Sequence, residues 1–368
     1  MADSRELISS ERIEIADNAV KALLGLLPQD LRFSSIIQRY LELPTIARNL
    51  EDEEVLAIKY AGVRNAITEL WEESRKSADF LDDTQDFEHL LKELRMRDHF
   101  IHSFRVFLLG YSIINKINQL FPEERYFKFP ERGYNLIWML SATFHDSAYA
   151  IEKTDDWMNK FFLRFLGIKT QFFLRLPELL TPTYTDFLRM LSQHHKSPFS
   201  IRDNFQFSFN GMDWNYYDKV GEALLKKDHG VLGALMLCHR MAIKEGFLGG
   251  DQRIASGDEY NFLYYHLSAA HAISVHNIDV VIDFKRHPFA FMLVLCDEIQ
   301  DWGRSEDDDK NEFIAIEELG VEKGQVPVVS LKLNASNGKI EKLAAKLSDR
   351  LRADEAIDIK INGKNLFS

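Results

Sequence analysis

Six residues carry the chemistry this chain could do. His102, His145, Asp146, His229, His276 and Asp297 all lie in or at the ends of strongly apolar, helix-compatible runs. An ionisable side chain is costly to bury there unless it is paired or holds a metal. Imidazole and carboxylate groups recurring in such places predict helices that converge on a metal centre.

Each position has a local argument. With twelve histidines in the chain, roughly one His-Asp dipeptide is expected by chance. The weight of His145-Asp146 therefore comes from its setting, at the end of the apolar run that begins at Leu136. His99 and His102 are three apart and share a helix face with Val106 and Leu109. That spacing suits a ligand with a hydrogen-bonding partner or proton donor, or equally a stacked histidine pair. His229 follows Asp228, a good N-cap, so it sits on a first helical turn, and Gly230 keeps side-chain bulk away from it. A helix N-terminus also favours anions, which suits a phosphate. His266, His271 and His276 are five apart and cannot all share one helix face; His276 is the best placed. Asp297 is the first charge after the apolar run from Pro288, with Asp301 one turn on. Its options are a metal or a salt bridge to Arg304 or another basic group.

In this order the set resembles the HD superfamily of metal-dependent phosphohydrolases. The family pattern runs His, then His-Asp, then a final Asp on separate helices, with two further histidines in its phosphodiesterase branches. His102, His145, Asp146, His229, His276 and Asp297 match in order. His102-Ser-Phe-Arg-Val resembles the usual setting of the first histidine, and His229-x-x-x-Gly resembles the cyclic-dinucleotide branch. The likeness covers roughly residues 95 to 305. It departs from the family in several places, two of them within its short motifs. The family His-Asp-Ile-Gly-Lys is here His145-Asp-Ser-Ala-Tyr149, without the lysine, and the Gly-Tyr-Pro signature is missing after His276. The sequence looks closest to a divergent bacterial group linked to conflict and defence systems.

The resemblance implies one or two divalent ions. Mixed imidazole and carboxylate ligands suit Mn, Fe, Zn, Co or Ni, and Mg is the remaining candidate. His102, His145, Asp146 and Asp297 would form a primary site, with Asp146 bridging to a second ion on His229 and His276. His99, Asp146 and His271 are the candidate catalytic residues, His99 or His271 as proton donor. Arg105 and Lys153 are the candidates to neutralise a substrate phosphate in place of the family lysine. The expected function is a metal-dependent phosphohydrolase or phosphodiesterase acting on a nucleotide or cyclic nucleotide. The alternatives are a single-strand nuclease of a defence system and a non-catalytic, metal-stabilised sensor or scaffold.

The elements that must position these residues are mostly helices. The expected fold is mainly α: an HD-type helical bundle with N-terminal helices and a small C-terminal β-α-β appendage. Residues 1–95 read as the N-terminal helical region, with helices over 10–27 and 55–81. Residues 96–318 read as the metal-binding domain, with an insertion at about 151–225 packing over or beside the site. Residues 319–368 read as the appendage: a strand at Val328–Leu333, a helix at Gly338–Leu351 and a strand at Ile357–Ile361.

Composition sets outer bounds. The chain has 368 residues, 46% of them hydrophobic, and its 27 phenylalanines predict an aromatic-rich core. A net charge of −12 argues against a generally basic nucleic-acid surface, so a small phosphorylated substrate is favoured over nucleic acid. The appendage is the expected docking point for a protein partner. Two cysteines in apolar runs read as buried thiols. The start lacks an apolar leader and no long apolar run appears, so the sequence reads as a cytoplasmic protein without a membrane span.

Overall fold

The computed structural model describes residues 65–66, 69, 99–124, 126–127, 131–149, 151–152, 159–160, 162–164, 167, 182–197, 212–244, 258–300 and 314–367. These are mainly helical, with a small mixed β-sheet at the C-terminal end. They divide into two compact units. One comprises the described residues up to Thr143 together with Val281 onward; the other is Phe144–Val280. The helices expected over 10–27 and 55–81 lie outside the described residues, apart from 65–66 and 69, which are helical.

In the first unit, α1 (His99–Leu120), α2 (Glu131–Phe144) and α7 (Pro288–Ile299) carry the apolar interior. Pro288 occupies the first turn of α7, where its missing N–H costs nothing. Every residue from Pro288 to Cys296 is buried, as expected for a helix apolar all round. Asp297 and Glu298 are the first partly exposed positions. The α1–α2 contact is set by Gly110: a Cβ there would lie 1.9 Å from the Trp138 ring. Trp138 is fully buried, and its indole N–H donates to the Phe107 carbonyl at 2.8 Å. The expected aromatic core is present, with Phe127 edge-on to Phe284 and Phe289, and Phe284 edge-on to Phe291.

The C-terminal sheet belongs to this unit and has the order β2 (Ala315–Lys323), β3 (Pro327–Asn334), β5 (Asp358–Ile361), β6 (Lys364–Asn365). The expected strand–helix–strand is β3, α8 (Asn337–Arg350) and β5, the two strands pairing in parallel. Alternation places Val329, Leu331, Leu333, Ile359 and Ile361 inward, and α8 buries Leu343 and Leu347. Ser336 caps α8 by accepting from Lys339 N–H. Asn362 and Gly363 both have positive φ in the two-residue turn between β5 and β6. Strand β2, antiparallel to β3, was not among the expected elements. A register shift between Ile316 and Glu318 breaks its alternation, hiding the period of two in the sequence. A short parallel pair, β1 (Ile282–Asp283) with β4 (Leu351–Arg352), completes the strands. Helix α7 packs on α8, and Glu298 pairs with Lys346 at 2.6 Å.

The second unit contains α3 (Pro182–Lys196), α4 (Trp214–Leu225), α5 (His229–Lys244) and α6 (Asp258–Val275). Helix α6 packs against α5 and α3, and α4 packs against α3 and α5. The N-terminus of α4 is capped by Asp213, whose carboxylate accepts from Tyr216 N–H. Asp228 does the same for α5, accepting from Val231 N–H at 3.1 Å, as its place before His229 predicts. Among the described residues, no helix is long and apolar enough to cross a membrane.

Candidate metal centre

The second unit brings three of the expected ligands together. His229 Nε2 lies 3.3 Å from Asp146 Oδ1 and 3.2 Å from His276 Nε2, and His276 Nε2 is 4.0 Å from the same Asp146 oxygen. Two ligands each about 2.1 Å from one ion are about 3 Å apart at a right angle and about 3.4 Å apart at the tetrahedral angle. The spacing fits a common cation with small adjustments.

The hydrogen bonds behind the two rings sharpen this. His276 Nδ1 donates to the Ile273 carbonyl at 2.6 Å. His229 Nδ1 donates to Glu152 Oε2 at 2.7 Å. With both Nδ1 atoms acting as donors, the Nε2 atoms are the ring positions that face each other and a carboxylate oxygen. Because these three atoms face one point, a cation or a proton must lie among them. Burial opposes a proton on His229, but hydrogen bonds and charge from Asp146 and Glu152 outweigh it and push its pKa up to about 10. The site thus attracts positive charge, and its donor set of two imidazoles and a carboxylate suits a divalent transition ion.

Local structure explains the convergence. After α2 the chain turns tightly, with Ser147 N–H donating to Phe144 O and Tyr149 N–H to Asp146 O. His145 is fully buried and meets the His276 ring edge-on at 5.2 Å. Gly230 is required by the close approach of His276: a Cβ there would lie 2.7 Å from the His276 ring and 2.9 Å from the Ile273 carbonyl. His276 follows the last residue of α6, and Asn277 donates to the capping Asp228, joining the two helix ends.

In the first unit, His102 on α1 and Asp297 on α7 form a pair, Nε2 to Oδ1 2.9 Å. The other ring nitrogen of His102 is in contact with the Gln300 side-chain amide. His102 is buried and Asp297 is partly exposed. Arg105, one turn beyond His102, is buried.

The remaining candidates are elsewhere or outside the described residues. His271 contacts His195 and Tyr216. The His99 side chain and Lys153 lie outside the described residues, as do Asp301 and Arg304. Glu152 was missed. Its oxygen accepts from both the ring and the backbone N–H of His229, at 2.7 and 3.3 Å. The available signal was an acidic residue six positions after Asp146 on a continuing turn.

No family model matches the chain, and no curated protein or solved structure is significantly similar to it.

Proposed function

We propose that the protein is a metal-dependent phosphohydrolase of the HD type, acting on a phosphoester of a nucleotide or cyclic nucleotide. The observation that carries this reading is the convergence of Asp146 Oδ1, His229 Nε2 and His276 Nε2 within 4.0 Å. The three residues match the family pattern in order. His102 and Asp297 enter the reading through sequence order alone.

Asp146, His229 and His276 would hold a divalent ion, which would supply water activation and polarisation of a phosphoryl oxygen. The chain's own groups prepare for it. Ile273 O and Glu152 accept from Nδ1 of His276 and His229, which leaves Nε2 of each ring as the atom that would bind the ion. Asp146 brings the negative charge that offsets a cation.

The test is hydrolysis of bis(p-nitrophenyl) phosphate and a panel of linear and cyclic nucleotides, with Mn²⁺, Co²⁺, Zn²⁺ or Mg²⁺ added to chelator-treated protein. Metal-dependent turnover lost in Asp146→Asn is the expected result. Metal bound at this cluster without turnover of any phosphoester would replace the reading with a metal-stabilised sensor. Cleavage confined to single-stranded nucleic acid, with binding that weakens steeply as salt rises, would replace it with a nuclease.

A further inference from the structure

The C-terminal sheet of the first unit has a long strand on its outside. Strand β2 is bonded on one side to β3, and among the described residues no strand or other backbone segment pairs with its other side. Its register with β3 is unbroken from Glu318 to Lys323, roughly 17–20 Å of strand. At the opposite edge, β6 is only 2 residues long. An outer strand as long as β2 presents a row of N–H and C=O groups to which a further strand can bond.

We propose that the outer edge of β2 is a docking site for an extended basic segment of another protein, which adds to the sheet as a further strand. Charge argues for this partner. Glu318 and Glu322 lie on one face of the strand, and both are exposed. The register shift after Ile316 brings Glu317 to the same side, so that Lys332 of β3 meets Glu317 at 3.3 Å and Glu318 at 2.7 Å. One ammonium thus serves two carboxylates. Glu322 forms no ion pair among the described residues, and Lys323 is turned to the Phe121 ring, 5.7 Å from its centroid. A strand with Lys or Arg opposite Glu318 and Glu322 would neutralise the remaining charge.

Space is available there as well. A groove of about 520 Å³ is lined by Glu318, Gly320 and Glu322 of β2, Ser330 and Lys332 of β3, and Gly363. Gly320 lies midway between the two carboxylates, and a Cβ there would meet nothing within 4 Å. Basic side chains of an added strand therefore have room to lean over β2. The other face of the sheet is already filled, with Val329, Leu331 and Leu333 buried.

A second copy of the chain fits this edge poorly. Antiparallel pairing of two β2 strands about Gly320 would set Glu318 opposite Glu322, and like charges directly opposite destabilise a strand pair. Charge on an outer strand discourages such self-pairing, and the same charge selects a partner of opposite sign. The site is independent of the phosphohydrolase reading and uses none of the residues that carry it.

The test uses the full-length protein and a short fluorescent peptide in which threonine and valine alternate, with lysine replacing two threonines four residues apart. Fluorescence anisotropy should show binding, and none when glutamate stands in place of both lysines. Glu322→Lys, a change at an exposed position that keeps the fold, should weaken binding by about fivefold or more. Methylating alternate backbone nitrogens along one edge of the peptide should weaken it by about tenfold, and along the other edge should leave it unchanged. No binding of the lysine peptide, or equal binding to wild type and Glu322→Lys, would overturn the proposal. Binding indifferent to methylation along either edge would also overturn it, leaving a bare attraction between charges. A protein that sediments as a dimer and rejects the peptide would assign the edge to a second copy instead.

Discussion

Glu152 Oε2 sits 2.7 Å from His229 Nδ1 while Nε2 of the same ring faces Asp146 Oδ1 at 3.3 Å. The imidazole is held between two carboxylates, one orienting it and the other sharing its target. Groups that orient a ligand in this way typically change metal affinity about 10–100-fold. Glu152→Ala should therefore weaken metal binding by roughly that factor, and Glu152→Gln, which keeps an acceptor for Nδ1, should recover part of it. Competition against a fluorescent zinc chelator reads both. Unchanged affinity in Glu152→Ala would show that the ring needs no such support.

Gly230→Ala places a methyl group 2.7 Å from the His276 ring and 2.9 Å from a backbone carbonyl. The carbonyl cannot yield, so the ring must move off its bond to Ile273 O. Metal affinity should fall while the far-UV circular dichroism stays near wild type, with a stability loss of about 1–3 kcal/mol from overpacking. Binding equal to wild type would mean that the His276 position is not what holds the ion.

Gly110→Ala tests the packing of the other unit. On an exposed helix this change gains about 1 kcal/mol. Here the added Cβ falls 1.9 Å from the Trp138 ring, inside a contact where overpacking costs about 1–3 kcal/mol or more. The sign should reverse, giving a lower Tm in thermal melts and an altered tryptophan fluorescence. A higher Tm would mean that the α1–α2 contact is not as close as described.

Burial pushes the Cys238 thiol up to about 12 from its ordinary value near 9. The folded protein therefore keeps this proton through a range where the unfolded chain releases it. Its contribution to stability is full below pH 9 and is lost as pH rises from 9 toward 12, about 1 kcal/mol by pH 10. Urea melts between pH 8 and 10.5 should show a smaller alkaline loss in Cys238→Ala than in wild type. Identical slopes would contradict a buried, protonated thiol. Slow alkylation of native protein at pH 8 is the companion expectation.

Much of this was legible in the sequence because single residues settled it. Asp228 before His229 announced a cap, Gly230 announced close approach, and Pro288 before an unbroken apolar run announced a buried helix start. The alternation in Val328–Leu333 gave β3 and the crossover to β5. Other parts were hidden for physical reasons. The register shift at Ile316–Glu318 disguised β2. Glu152 could not be told from an ordinary surface carboxylate, since only the turn after Asp146 swings it back to His229. The grouping of His195 with His271 joins residues 76 positions apart, and no periodicity within one helix reveals it.

The most direct measurement is metal content, by inductively coupled plasma mass spectrometry, of protein purified without chelators, comparing wild type with Asp146→Asn and His229→Gln. A bound divalent transition ion is expected in wild type, with the loss of at least one equivalent in each variant and secondary structure unchanged. Wild-type protein that neither carries nor takes up such an ion, or variants that retain the full complement, would contradict it.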